Sequence, residues 1–102
     1  MKATYSTALV LQALARGCHH GFDIMDATDL PSGTVYPILR RLDREGLVAS
    51  RWEKQSEAQR AQRPPRRYYR LTAAGETLLA QVAERFRALD DVRPAPERAR
   101  TS

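Results

Sequence analysis

The sequence is poor in cysteine and has no long apolar run. Its single cysteine, Cys18, cannot form a disulfide within the chain, which is typical of proteins from a reducing compartment. No apolar stretch approaches the ~18 residues that a membrane-spanning helix requires, and no signal-peptide pattern opens the chain. We therefore expect a cytoplasmic protein.

The sequence also lacks the residue sets that enzymes use. We find no paired carboxylates in an apolar context, no nucleophile triad and no glycine-rich phosphate loop. Cys18-His19-His20 offers the thiol and imidazole ligands that zinc favours, but adjacent residues rarely converge on one ion and no second cluster exists. We predict no enzymatic activity, no cofactor and no metal, and interpret this segment as a turn between helices; a metal or redox sensor is the open alternative.

What the sequence does contain is apolar content and a localised positive charge. Its 102 residues are 42% apolar, which suffices for one small domain with a modest core. The net charge is +5, and the segment 51–70 alone combines seven basic with two acidic residues. Such a patch indicates a polyanionic partner, most simply nucleic acid. A basic loop kept for solubility is the alternative.

Residues 30–47 predict an amphipathic helix. At about 100° per residue, one arc of this helix is apolar and faces the core; it holds Val35, Ile38, Leu39 and Leu42. The opposite side holds Gly33, Tyr36, Pro37, Arg40 and Arg44. Ser32 is placed to cap the start of the helix and Gly46 to end it. A helix of this kind suits a DNA major groove, although a solvated charged face fits equally well.

Two further helices are predicted before this one. Residues 5–16 are rich in alanine and leucine and reach Gly17, a natural helix stop. A second helix spans residues 21–28, whose inward contacts come from Phe22 and Met25, with Ile24 nearby. Two short helices joined by a tight turn form a helix-turn-helix, in which the second helix reads the DNA.

The segments after the amphipathic helix predict an antiparallel hairpin. Residues 47–53 and 66–71 alternate in polarity and contain aromatic and β-branched members. We interpret the polar segment between them, residues 54–65, as a mobile wing tip. The predicted fold is therefore mainly α with a small antiparallel β-hairpin, a winged helix-turn-helix in which residues 1–71 form the DNA-binding domain.

The C-terminal part predicts a helix that pairs with a partner. Thr72 is a good N-cap, and we expect a dimerisation helix within residues 72–92. Packing onto its own domain alone is the alternative. Residues 93–102 lack apolar content and should be disordered. The stripe expected at the interface of a homodimer is broad and comprises Leu78, Leu79, Val82, Phe86 and Leu89.

Three blocks of the sequence resemble the PadR-type bacterial transcriptional regulators. Residues 17–24 resemble the family's G-x-x-H-G-Y-x-I element, with Phe22 in place of tyrosine. Residues 30–47 resemble its reading helix, with Val35 in place of leucine. Residues 66–75 resemble the signature R-R-Y-Y-x-L-T-x-x-G at the end of the wing. The length of the chain is similar to that of the short branch, which has a single C-terminal helix.

The resemblance implies a dimeric repressor that binds an inverted-repeat operator in double-stranded DNA and often regulates its own gene. Some short members bind a small aromatic effector between their dimer helices, and here Trp52 and Phe86 are the candidate contacts. The alternative is a winged-helix module that binds an acidic protein instead of DNA.

The expected DNA contacts fall into two classes. Base contacts come from the N-terminal part of the reading helix, namely Ser32, Gly33, Thr34, Tyr36, Pro37 and Arg40. Phosphate contacts give an affinity that falls with salt and come from Lys2, His20, Arg41, Arg44, Arg51, Lys54, Arg60, Arg63, Arg66 and Arg67. Two reading helices in a dimer would meet major grooves about 34 Å apart.

Overall fold

The computed structural model describes residues 4–86 and 92–95 of the chain. These residues contain five helices and two strands. The strands pair antiparallel, with Val48 opposite Leu71 and Trp52 opposite Arg67. This is the predicted mainly helical winged-helix fold with a two-stranded hairpin. No helix in the described ranges is long and apolar enough to cross a membrane. The elements in chain order are α1 (Tyr5–Ala15), α2 (Gly21–Thr28), α3 (Ser32–Arg44), β1 (Val48–Trp52), α4 (Gln55–Arg60), β2 (Arg67–Leu71) and α5 (Ala73–Ala83).

Helix α1 lies at the centre of the fold and contacts α2, α3, α5 and β2. Ala8, Val10 and Leu11 on this helix are fully buried, and each large apolar side chain buried in this way stabilises the fold by about 1.5–3 kcal/mol. Thr4 caps the helix, because its hydroxyl accepts a hydrogen bond from the Thr7 amide at 3.2 Å. The apolar sequence of α1 leaves it little polar surface, which is why the other elements are assembled around it.

Helix α3 has the predicted apolar stripe. Val35, Leu39 and Leu42 are completely buried, and Gly46 ends the helix with a φ of +74°, a conformation that glycine adopts without strain. The predicted cap is wrong, however. Ser32 is the first helical residue, and the cap position belongs to Pro31, whose carbonyl accepts hydrogen bonds from the amides of Thr34 and Val35.

Two other local predictions are corrected. Phe22 does not turn inward but is exposed, whereas Ile24 is fully buried and Met25 packs half-buried against the core, as predicted. The segment 54–65 is not a mobile tip, because it contains α4, with Ala58 buried, and because Arg63 forms an ion pair with Glu53. The wing therefore has a small interior of its own.

Helix α5 begins as predicted, since the Thr72 hydroxyl accepts a hydrogen bond from the Gly75 amide at 3.2 Å. It ends at Ala83, earlier than expected. Leu78 and Leu79 are half-buried, but Val82 is fully buried in the core of its own domain. Val82 is therefore not exposed for contact with a second chain.

Residues 92–95 pack against the domain. Val92 and Ala95 are buried, and the Ala95 amide donates a hydrogen bond to the Arg16 carbonyl at 3.2 Å. This segment therefore lies beside the end of α1, and disorder of residues 93–102 stays a prediction. Residues 96–102 and Leu89 lie outside the described residues.

Candidate nucleic-acid interface

The N-terminal part of α3 presents the predicted reading residues to solvent. Ser32, Gly33, Tyr36 and Pro37 are exposed, as is Arg40 one turn later, and Thr34 is half-buried. Gly33, Tyr36, Pro37 and Arg40 lie on the side away from the buried stripe because an α-helix repeats every 3.6 residues, whereas Ser32 is exposed as the first residue of the helix. The structure thus brings the six predicted base-contacting residues, Ser32, Gly33, Thr34, Tyr36, Pro37 and Arg40, to one accessible end of one helix.

The ring of Tyr36 rests on the backbone of Gly21, the first residue of α2. A Cβ atom built on Gly21 would lie 2.5 Å from ring carbons Cε1 and Cζ of Tyr36 and would overlap its hydroxyl. Only glycine leaves room for the ring in this position. Gly21 therefore positions Tyr36, a role that sequence reasoning missed although Gly21 belongs to the block that resembles the family.

A long groove separates α3 from the hairpin. It consists of two adjoining hollows of about 640 and 430 Å³ that share Tyr36, Trp52, Arg67 and Tyr69. The larger continues along α3 to Arg44, and the smaller continues to the start of α2. We call the two together the α3–wing groove, whose charged lining consists of Arg40, Asp43, Arg44, Arg63, Arg66 and Arg67, with His20 at one end.

Several predicted phosphate contacts are accessible. Arg44, Arg51, Lys54 and Arg60 are exposed, and the Arg51 guanidinium lies 5.0 Å from the centre of the Tyr68 ring. These cations extend from the last turn of α3 along β1 to α4. Arg44 borders the α3–wing groove, whereas Arg51 lies on the opposite face of the hairpin from Trp52, because side chains alternate along a strand.

Arg67 is half-buried in the groove. Its Nη2 donates a hydrogen bond to the Ser50 hydroxyl at 2.8 Å and lies 3.6 Å from Asp43. Its guanidinium also lies 5.1 Å from the centre of the Trp52 ring. These contacts hold the cation in a fixed place at the groove wall.

Three predicted phosphate contacts have structural roles instead. His20 is buried. Arg41 donates a hydrogen bond to the Thr7 hydroxyl of α1 at 3.4 Å, and Arg63 is bound to Glu53. Each of these side chains contacts another group within the protein, so it is not free to bind a phosphate. Lys2 lies outside the described residues.

Glu53 is the centre of the polar interior of the wing. Arg63 donates to both of its oxygens, at 2.6 and 2.9 Å, and the Tyr68 hydroxyl and the Arg66 amide donate at 3.0 and 3.3 Å. These donors, Arg63 first, lower the pKa of Glu53 to about 2. The cluster ties the strands to the segment after α4, and it was missed because the pair is ten residues apart in a polar stretch.

His20 connects α2 to the wing. Its Nε2 lies 3.3 Å from Nη1 of Arg66 and 3.2 Å from Oδ2 of Asp23. An accepting Nε2 matches Arg66, which can only donate, and a donating Nε2 matches the Asp23 carboxylate, so the tautomer decides which contact is a hydrogen bond. Burial lowers the pKa of His20; Asp23 opposes this shift, whereas Arg66 and Arg63 reinforce it. Through these neighbours His20 joins the start of α2 to the wing.

The segment 18–20 runs beside β2. The Tyr69 amide donates to the His19 carbonyl at 2.7 Å, and Nδ1 of His19 lies 3.3 Å from the Tyr69 carbonyl oxygen. Cys18 is buried. Within residues 4–86 and 92–95, no three histidine, cysteine, aspartate or glutamate side chains come together as a metal site. The two histidines hold the hairpin against the helices.

The two candidate effector contacts lie in different surroundings. Trp52 borders the α3–wing groove and is exposed. Phe86 is half-buried and meets the Tyr5 ring of α1 edge to face, with 5.3 Å between ring centres. Trp52 is therefore grouped with the reading surface, and Phe86 with the packing of α1.

Comparison with known proteins identifies the family to which the sequence is similar. The sequence profile of the Transcriptional regulator PadR-like family matches residues 10–81. A solved PadR family transcriptional regulator from Eggerthella lenta DSM 2243 is 32% identical, with a TM-score of 0.63, covering 83% of this chain and 74% of that one. A PadR-like transcription factor from Bacteroides fragilis is 27% identical, with a TM-score of 0.66, covering 83% and 82%.

A third structure supports the fold alone. It is a PadR family transcription regulator from hypervirulent Clostridium difficile R20291, 23% identical, with a TM-score of 0.69 over 87% of this chain and 94% of that one. No curated protein matches the sequence.

Proposed function

The chain belongs to the PadR-like family of transcriptional regulators, and from this premise we propose that it is a dimeric repressor of a nearby operon and of its own gene. Members of the family are DNA-binding regulators and not enzymes. The observation that carries the proposal is the exposed N-terminal end of α3, with Tyr36 seated on Gly21, beside a groove lined by arginines. Repression follows if the bound protein blocks the polymerase at an operator.

In this proposal the two ends of α3 have different tasks. The N-terminal end enters the major groove, where Tyr36 makes apolar contact with a thymine methyl group and Arg40 reaches a base edge. Gly33 allows close approach of the backbone. We assign the phosphate contacts to the exposed cations Arg44, Arg51, Lys54 and Arg60. Arg66 and Arg67, which are half-buried and hold contacts within the protein, add to them from the edge of the groove, and Lys2 stays a prediction.

A second copy of the chain would supply the other half of the operator contact. Leu78 and Leu79 on α5 are half-buried, and Tyr5 on the neighbouring α1 is exposed. A partner that covers these side chains would place two α3 helices on successive major grooves. A small aromatic effector bound near Phe86 at this interface would change the spacing of the two helices and relieve repression.

The experiment is a mobility shift with duplex DNA from upstream of the protein's own gene. We expect binding that weakens steeply with salt and that falls at least about tenfold in Tyr36→Ala, since a base contact is lost. Affinity that responds to neither salt nor Tyr36→Ala would exclude the specific repressor, and binding to an acidic protein instead of duplex would favour an interaction module.

A further inference from the structure

The hairpin carries a hollow of about 300 Å³ on its outer face, the face turned away from α3. Because side chains alternate along a strand, four residues of the hairpin share this face and line the hollow: Ala49, Arg51, Tyr68 and Arg70. His19, in the turn before α2, borders the same space, which we call the outer hollow. Its volume is at the lower end of the range for small-molecule sites.

A small side chain makes room for the outer hollow. Ala49 lies directly opposite Arg70 in the strand register, and Arg51 lies directly opposite Tyr68. Three of these four positions therefore carry long side chains, and the alanine at the fourth leaves the sheet uncovered between them. The hollow has the sheet as its floor and the long side chains as its walls.

The outer hollow is positive and has no acidic residue in its lining. Arg51 and Arg70 are exposed and lie at diagonal positions of the strand pair, which are about 7–8 Å apart in an antiparallel sheet. Within residues 4–86 and 92–95, neither forms an ion pair. Glu53, two residues beyond Arg51, is bound by Arg63 instead. Like charges on adjacent strands repel each other, so an anion between the two arginines would stabilise this face.

Two of the polar side chains around the outer hollow are already held in place. The Arg51 guanidinium lies 5.0 Å from the centre of the Tyr68 ring, and the Tyr68 hydroxyl donates a hydrogen bond to Glu53 at 3.0 Å. Nδ1 of His19 lies 3.3 Å from the Tyr69 carbonyl oxygen. Because these contacts order the side chains before a ligand binds, binding costs less conformational entropy.

The arrangement of the cations favours a phosphate group over a carboxylate. Two guanidinium groups on neighbouring strands approach an anion from different directions, and each can donate two parallel hydrogen bonds. A planar carboxylate has two oxygens and matches one guanidinium. A tetrahedral phosphate monoester has three free oxygens and a charge of about −1.5 to −2 at neutral pH, which matches two.

We propose that the outer hollow binds the phosphate group of a small phosphorylated compound, with Arg51 and Arg70 on the phosphate and the organic part against Ala49 and His19. Arg70 and His19 occupy unspecified positions of the family patterns R-R-Y-Y-x-L-T-x-x-G and G-x-x-H-G-Y-x-I, so those patterns do not account for them. Arg51 is also assigned to a DNA phosphate. An occupied hollow therefore withdraws one cation from the duplex, a consequence that rests on the proposed function.

Glycerol 3-phosphate is the probe, titrated into the full-length protein with succinate and inorganic phosphate in parallel. Shifts of the backbone amide resonances of residues 49–51 and 68–70 locate the site, and their concentration dependence gives the Kd. We expect glycerol 3-phosphate to bind at least about tenfold more tightly than succinate. Inorganic phosphate that binds as tightly as the ester would support the site and assign it to free phosphate.

Variants separate the outer hollow from the general positive charge of the protein. Arg70→Gln should weaken binding of glycerol 3-phosphate at least about tenfold, because a charge-assisted contact is lost. Arg85→Gln is the matched control, since Arg85 is exposed beyond the end of α5 and does not line the hollow. Ala49→Leu fills the hollow without changing the charge and should abolish binding. Circular dichroism confirms that each variant is folded.

Duplex DNA is the competing source of phosphate groups, and Ala49→Leu distinguishes the two sources. Without the ester, this variant should bind the promoter duplex as the wild type does, because a filled hollow leaves Arg51 exposed. At constant ionic strength, saturating glycerol 3-phosphate should weaken duplex binding by the wild type about threefold, which is the value of one exposed ion pair. The same addition should leave duplex binding by Ala49→Leu unchanged.

The outcomes distinguish this inference from the proposed function. Equal affinity for the ester and succinate, or ester binding that survives Ala49→Leu, overturns the site. Loss of duplex affinity in Ala49→Leu without the ester also overturns it, because the hollow would then hold a DNA phosphate. If the ester binds as expected but leaves duplex affinity unchanged, the site is supported and its effect on DNA is overturned. If the ester binds and no duplex does, the site is supported and the repressor proposal fails.

Discussion

At the scale of single residues, Gly21 determines how the reading surface is presented. It is the first residue of α2, where alanine would fit the helix if nothing opposed it. The Tyr36 ring does oppose it, because a Cβ atom would overlap the ring. A residue that never touches DNA in our proposal thus sets the direction of one that does.

Gly21→Ala should therefore reduce promoter affinity about tenfold, close to the effect of Tyr36→Ala, because the ring is displaced from its seat. Anisotropy titration measures the loss. The double variant should bind no worse than Tyr36→Ala alone, since both changes act on the same contact. Additive losses would show that Gly21 acts in some other way. Circular dichroism of each variant separates loss of binding from loss of folding.

Glu53 makes the wing sensitive to acid. Its pKa is lowered to about 2 by its hydrogen-bond donors, below the ordinary value of 4.5 that applies in the unfolded chain. A carboxylate with a depressed pKa contributes stability above the unfolded pKa, and this contribution is lost as the pH falls from about 4.5 towards 2.

We expect the free energy of unfolding to fall between pH 5 and pH 2 more steeply for the wild type than for Glu53→Gln, which has no carboxylate to protonate. Urea denaturation at a series of pH values measures this. Glu57→Gln is the matched control, since it removes an equal charge from the exposed face of α4 and should follow the wild type. Parallel pH profiles for the wild type and Glu53→Gln would contradict the assigned role.

At the scale of elements, the sequence predicts those that have a regular pattern. The stripe of α3, the turn at Gly46, the N-cap of α5 and the pairing of two strands all follow from local periodicity and turn chemistry. Helix α4 could not be predicted, because a six-residue helix with one buried side chain, Ala58, has no measurable period. It depends on the rest of the wing for its stability.

The candidate site also has one part that local sequence patterns predict and another part that they do not. Exposure of the start of α3 follows from the helical wheel, whereas the fates of His20, Arg41 and Arg63 depend on partners far away in sequence. Each is a polar residue in a segment rich in charged residues. The composition of such a segment does not show which cation forms an ion pair within the protein and which is exposed to solvent. The exposure of Phe22 was missed because the sequence places this ring on the inward face of α2 together with Ile24. In the fold only Ile24 of these two side chains is buried.

At the scale of the whole molecule, the proposed dimer fixes the distance between the two half-sites that it can bind. Two α3 helices fixed by one interface can meet only half-sites that face the same side of the duplex, one helical turn or about 34 Å apart. Insertion of about five base pairs between the half-sites should therefore abolish tight binding, and insertion of about ten should restore part of it.

Mobility shifts on this series measure the effect without altering the protein. A duplex with one half-site should bind as weakly as the five-base-pair insertion. Affinity that is independent of spacing would mean that copies of the chain bind separately, and sedimentation of the free protein would then show a monomer.

The contact between His19 and Tyr69 has a further consequence. It joins backbone fifty residues apart, so β2 is bordered on one side by β1 and on the other by the turn between the first two helices. The outer edge of β2 is therefore occupied at Tyr69, the middle residue of the strand, which leaves only short stretches on either side for a foreign strand to pair with. The same contact fastens the hairpin to the helical layer, so opening of the wing requires that this hydrogen bond be broken.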